Sequence, residues 1–222
     1  MKIKVIIMGK NYIGITYGLP ASGKSTLARF VKKYQTFPTS TAIEFRDFIL
    51  PEYIKYQIIF PDIEFKIISF DEIRKEVYGK KLKELFSGVA PEEGKYNLPE
   101  KVEMKVLSEG ISRIRNNIRE KKPIIIDDIH LRKRHRISLI EKVIKPEIEE
   151  DLVLFLMWIN TSFEAIKRRN ALRKAKIPVK RLEAMYKVRN NKREQPEIDE
   201  GYNFISYFDS EKEDIKYIVS KM

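Results

Sequence analysis

The feature that most constrains this chain is the run Gly18-Leu-Pro-Ala-Ser-Gly-Lys-Ser25, which fits G-x-x-x-x-G-K-[ST] at every fixed position. The pattern requires a strand that runs into a glycine loop and then into a helix. Residues 13–17 form a β-favouring run, and residues 26–33 alternate apolar and basic side chains at helical spacing. Gly18 and Gly23 leave room for the backbone to wrap phosphate oxygens, with the helix N-terminus facing the anion. Lys24 is placed to reach the β- and γ-phosphates, and the Ser25 hydroxyl to ligate Mg²⁺. The candidate nucleotide-binding residues are therefore Gly18, Pro20, Ala21, Ser22, Gly23, Lys24, Ser25 and Thr26.

Six apolar β-type runs are present, at residues 4–8, 13–17, 65–70, 123–127, 152–159 and 203–208. Amphipathic stretches at 102–121, 131–145 and 163–175 separate most of them. Strands alternating with helices predict an α/β fold with a central, mainly parallel sheet between helical layers. The first two runs are joined by Gly9-Lys10-Asn11, which predicts an N-terminal hairpin. Residues 36–64 mix Pro38, Pro51 and Pro61 with aromatics and are read as an insertion. The chain of 222 residues is expected to form a single domain, 1–222, without internal repeats or linkers.

Zero cysteines exclude disulfides, thiolate metal sites and thiol catalysis, and suit a reducing cytoplasm. No run is long enough to span a bilayer, and the lysine-rich start does not look like a secretory signal. The formal net charge is +12. Residues 167–193 hold twelve Lys or Arg against one acid, Glu183, nearly the whole imbalance. A block so one-sided is expected to meet phosphates, on a nucleotide or on a longer nucleic acid.

In open α/β sheets, ligands bind beyond the carboxyl ends of the strands. Asp71 and Arg74 follow the third of these runs, three apart and so on one helical face. The acid suits proton acceptance from an attacking hydroxyl, and the guanidinium suits bidentate binding of an acceptor phosphate. "IIIDD" is a buried strand closing on two acids; Asp128 is preferred for Mg²⁺ and the site, with Asp127 secondary. Ile129 follows it, so the water-activating Glu of motor ATPases is missing, as is a guanine-reading Asn-Lys-x-Asp. His130 and His135 lack a ligand set for a metal. Arg169 and Arg173, four apart, suit a lid at 163–193 that closes over ATP.

Together these elements resemble the polynucleotide 5′-kinase branch of the P-loop phosphotransferases, of the phage and bacterial RNA-repair type. "GLPASGKST" is similar to that group's P-loop, and "DEIRKEVYG" to its Asp-x-x-Arg acceptor element. "IIIDDIHLRKRHR" is similar to its strand ending in Asp-Thr-Asn-Leu, and "RRNALRKAKIPVKRLEAMYK" to its lid. "QPEIDEGYNFI" resembles the turn into its last strand, so the likeness spans 18–205 apart from 36–64. It implies an adenylate-kinase-like P-loop fold with a helical lid, using ATP and Mg²⁺ on a 5′-hydroxyl RNA or DNA end. Lys24, Asp71, Arg74 and Arg173 would be catalytic, with Asp71 the general base and Arg74 holding the acceptor phosphate. Arg169 and Arg173 would bind ATP, Ser25 and Asp128 the metal, and Asp128, His130 and Ile177 the acceptor. Where that family shows Asp-Thr-Asn, this chain has Asp128-Ile129-His130, which alters the acceptor contacts. Seryl-tRNA kinases are similar in the P-loop, the Asp-x-x-Arg helix and the Arg-Arg-Asn lid. A small-metabolite kinase would also fit these motifs, as would a nucleic-acid-binding module that keeps ATP as a ligand.

Overall fold

The strand that enters the glycine loop, β2 (Asn11–Tyr17), lies in the middle of a six-stranded sheet, in a computed structural model. The structure describes residues 2–9, 11–38, 42–46, 55–78, 100–148, 151–173 and 176–211. Its strands are β1 (Lys2–Ile6), β2, β3 (Ala42–Phe45), β4 (Lys55–Ile59), β5 (Lys66–Ser69), β6 (Ile124–Asp127), β7 (Leu152–Asn160) and β8 (Phe204–Asp209). The helices are α1 (Lys24–Tyr34), α2 (Phe70–Tyr78), α3 (Glu100–Arg119), α4 (Lys133–Leu139), α5 (Phe163–Ala171) and α6 (Val179–Asn190). The large sheet runs β3-β8-β7-β2-β6-β5, parallel throughout except for β3, which pairs antiparallel with β8. β2 therefore sits between β6 on one side and β7 on the other. The chain visits β5 and β6 first and then crosses to β7 and β8, so the end of β2 is a topological switch point.

Strand period two sorts the core onto two faces. Leu154 and Leu156 of β7 join Ile13 and Ile15 of β2 on one face, against Val106, Ile114 and Ile118 of α3 and Ile166 of α5. Val153, Phe155 and Met157 point the other way, onto Leu27, Phe30 and Val31 of α1. A parallel sheet covered on both faces must be apolar in continuous runs, which is why "LVLFLMWI" reads without alternation. Among the described residues, no helix is long and apolar enough to cross a membrane.

One sequence expectation is corrected here. The N-terminal turn does not close a hairpin: β1 pairs parallel with β4, in a separate two-stranded sheet. Residues 36–64, read as an insertion, are tied to the core at both ends. Thr36 bridges Ile59, and the Phe60 N–H donates to the Gln35 carbonyl at 2.7 Å. Phe37 and Phe60 pack edge-on at 5.3 Å, and β3 adds an edge to the main sheet. Aromatic mass at both ends anchors the segment, a non-local pairing that no local pattern announces.

Candidate active site

The glycine loop is shaped by its own backbone and by the elements behind it. Gly23, with φ 108°, caps α1, which has no side-chain cap and no acid in its first turn. Its N-terminal amides and positive dipole end are thus open to an anion. A Cβ on Gly18 would lie 2.8 Å from Ser22 Oγ and 3.0 Å from the Ile159 carbonyl, so only glycine fits there. Ala21 takes φ 63°, an unusual conformation for a residue with a side chain, which its surroundings must enforce. Part of that enforcement is at the next residue. The Ser22 carbonyl accepts from Thr161 Oγ1 and from Arg169 Nη1, both at 3.2 Å. Ser22 Oγ is itself buried without a hydrogen-bond partner. Lys24 Nζ donates to the Leu19 carbonyl at 2.9 Å. Burial pushes the Lys24 ammonium below its ordinary pKa, while Asp127, Asp128 and Asp71 pull it back.

At the end of β6, Asp127 and Asp128 both line the cleft. Asp127 accepts from Thr16 Oγ1 at 3.4 Å and lies close enough to the Ser25 hydroxyl for it to act on the carboxyl pKa. By strand alternation Asp127 is the residue that turns inward beside the loop, and it is buried. Burial lifts the Asp127 carboxyl above the usual range, and Ser25 and Lys24 oppose that rise. Asp128 is half-buried and lines the cleft, with its backbone N–H and carbonyl both paired to Thr16 Oγ1. His130 makes its contact with β2. Its Nδ1 lies 3.0 Å from the Thr16 carbonyl, and it is not among the residues lining the cleft. Its φ of 49° is left-handed, unusual for a residue with a side chain.

Asp71 and Arg74 sit in the first turns of α2, directly beyond β5, and both line the cleft. Arg74 Nη1 donates to Asp71 Oδ1 at 2.9 Å, as three-residue spacing on a helix predicts. Glu103 of α3 takes the other edge of the same guanidinium.

On the lid side, Arg169 donates to Ser22 and to both the hydroxyl and the carbonyl of Ser210, at 2.9 and 3.0 Å. It thereby ties α5 to the loop and to the end of β8. Arg173 lies just past α5 and lines the cleft, close enough to Lys24 to depress its pKa. Ile177 lines the cleft too, held by Asn170: the Asn170 amide donates to the Ile177 carbonyl at 2.8 Å and accepts from its N–H at 3.0 Å. The basic block is not uniformly phosphate-facing. Arg189 is buried, donates to the Thr161 carbonyl at 2.7 Å and lies 4.5 Å over the Tyr186 ring. Asn170, Glu103 and Thr161 are functional neighbours that sequence reasoning missed, since polar residues inside amphipathic stretches carry no signal of their partners.

The cleft has a volume of about 2050 Å³ and runs from the glycine loop, past Asp127 and Asp71, to the lid. Of the sequence-derived site residues, Pro20 through Thr26, Asp71, Arg74, Asp128, Arg169, Arg173 and Ile177 meet there. Gly18 supports it from behind, and His130 stands apart.

No protein-family model matches the sequence, and no curated protein matches it. Solved structures resemble it in fold. A sugar kinase from Janibacter sp. HTCC2649 superposes with a TM-score of 0.55 at 15% identity, over 95% of this chain and 91% of that one. A Chloroflexus aurantiacus protein described as a kinase gives 0.55 at 14% identity, over 97% and 95%. APE1195 gives 0.51 at 16% identity, over 96% and 93%. The chain has the fold of the P-loop kinases.

Proposed function

We propose that this protein is an ATP-dependent kinase that transfers the γ-phosphate to the 5′-hydroxyl end of a nucleic acid. The observation that carries the reading is that Asp71, Lys24 and Arg173 face one cleft at the switch point of the sheet. Phosphoryl transfer asks the protein for position and charge neutralisation, and little else. The amides of residues 23–25 and the Lys24 ammonium hold the donor phosphates. Asp71 accepts the acceptor hydroxyl proton on the oxygen that Arg74 leaves free. The acceptor oxygen forms its bond to Pγ, the bond from Pγ to the β-bridging oxygen breaks, and ADP leaves. Arg173 offsets charge on the transferring group and, with the lid, excludes water.

The donor set suits Mg²⁺: Ser25 and Asp127 offer hard oxygen ligands. Among the described residues no three His, Cys, Asp or Glu cluster into a metal site, so these two would hold the ion together with donor oxygens. When bound, it supplies positive charge against the triphosphate.

Net charge of +12, concentrated at 167–193, supports a polyanionic acceptor. A second reading has its own observation. Glu72, Glu76 and Glu103 line the α2–α3 end of the cleft, and carboxylates there suit a small, hydroxyl-rich acceptor, as in the sugar kinase of similar fold. The test is γ-labelled ATP with Mg²⁺ and four acceptors: 5′-hydroxyl RNA, the matching DNA, seryl-tRNA and a hexose panel. Label at an oligonucleotide 5′ end supports the first reading, and label only on hexose the second. Label only on seryl-tRNA moves the acceptor to the aminoacyl group.

A further inference from the structure

Arg74 has five N–H donors, and most of its fork is already engaged. Nε donates to Glu103 Oε1 at 3.1 Å and Nη2 to Glu103 Oε2 at 3.3 Å, a bidentate pair across α2 and α3. The third contact is Nη1 on Asp71 at 2.9 Å. Asp71 is 69% exposed, and among the described residues that is the one hydrogen bond its carboxylate makes. An exposed carboxylate held nowhere else samples several rotamers. A guanidinium fixed along its far edge is planar and rigid, so it dictates where the bonded carboxylate points.

The charges agree with this division of labour. Asp71, Arg74 and Glu103 together carry −1, which repels a phosphate rather than attracting it. Across the cleft, Arg168, Arg173 and Lys176 of the lid segment form no ion pair with the described residues, so their charge is available to a phosphate.

We infer that Arg74 and Glu103 are positioning residues that aim Asp71 at the acceptor hydroxyl, and that Arg74 does not hold an acceptor phosphate. This rests on the reading of Asp71 as the proton acceptor, and it reverses the role that the resemblance gives Arg74.

Adenosine 3′-monophosphate, which carries a 5′-hydroxyl and one neighbouring phosphate, is the probe. Steady-state rates with ATP are compared for the parent, Arg74→Ala, Glu103→Gln, Asp71→Asn and the Asp71→Asn/Glu103→Gln pair, each checked for an unchanged melting temperature. A misaimed base predicts kcat falling about 100-fold in Arg74→Ala and about tenfold in Glu103→Gln, with both KM values within about twofold. Because Glu103 acts through Asp71, the double variant should be no slower than Asp71→Asn alone. A tenfold rise in KM for the nucleotide with kcat preserved in Arg74→Ala would overturn the inference alone. So would a Glu103→Gln enzyme indistinguishable from the parent. No label on the nucleotide from the parent would overturn the nucleic-acid reading as well, which separates the two failures.

Discussion

Arg136 and Glu200, 64 positions apart, form a bidentate pair at 2.7 and 2.6 Å with side chains 0% and 1% exposed. Arg136 also donates to the carbonyls of His130 and Leu131 and lies 5.3 Å over the Tyr17 ring. The pair joins α4 to the turn before β8, beneath the strand that feeds the glycine loop. Removing one partner strands a buried charge. Glu200→Gln should therefore cost about 3–5 kcal/mol, a fall in Tm of roughly 10 °C by calorimetry. A double Arg136→Met/Glu200→Leu variant should recover most of that loss, because it leaves no ion unpaired. Equal destabilisation in the single and double variants would show that packing, not charge pairing, sets the stability there.

The two acids at the end of β6 should separate in function. Asp127 is buried beside Ser25, whereas Asp128 is half-buried at the cleft surface. Asp127→Asn is expected to raise the Mg²⁺ concentration needed for half-maximal turnover at least about tenfold, with Asp128→Asn changing it little. A Mg²⁺ titration of both variants decides, and the reverse ranking would return the metal to Asp128.

Asp71→Ala should lower kcat by about 10²–10⁴, the range for loss of a general base, while leaving ATP affinity unchanged. Calorimetric titration with ATP alongside the labelled-transfer assay reads both quantities. Turnover that survives the substitution would remove Asp71 from the proton-accepting role.

The Asn170 clamp makes a distinct expectation. Asn170→Ala leaves the Ile177 N–H and carbonyl without their partners and releases the segment between them. The Ile177 amide should lose its hydrogen-exchange protection, and KM for the acceptor should rise with little change in Tm. Retained protection would mean that Pro178 and the start of α6 hold the segment by themselves.

The parts of this molecule that were legible from sequence are those whose cause is local. The glycine loop needs eight consecutive residues, and strands buried on both faces announce themselves as apolar runs. Asp71 and Arg74 follow from helical spacing. What escaped depends on contacts distant in the chain. Asp127 and Asp128 are chemically alike, and only the strand's alternation at its last residue assigns one to Ser25. The pairing of β1 with β4 joins segments far apart in the chain, Lys2 beside Lys55. Arg136 and Arg189 stand in basic runs that give no local sign of burial, yet each is buried against a specific acceptor: the Glu200 carboxylate for Arg136, the Thr161 carbonyl for Arg189. The acceptor element's sequel at 79–99 lies outside the described residues.

The Ser22 carbonyl is a single oxygen that receives hydrogen bonds from Thr161 at the end of β7 and Arg169 in the lid, while Ser210 bonds to both donors. The glycine loop and α5 thereby share one acceptor atom. Any donor that shifts residue 22 must also redistribute those bonds, so the two states are thermodynamically linked. A substitution at Arg169 is then expected to alter nucleotide affinity, and nucleotide binding to alter the freedom of α5.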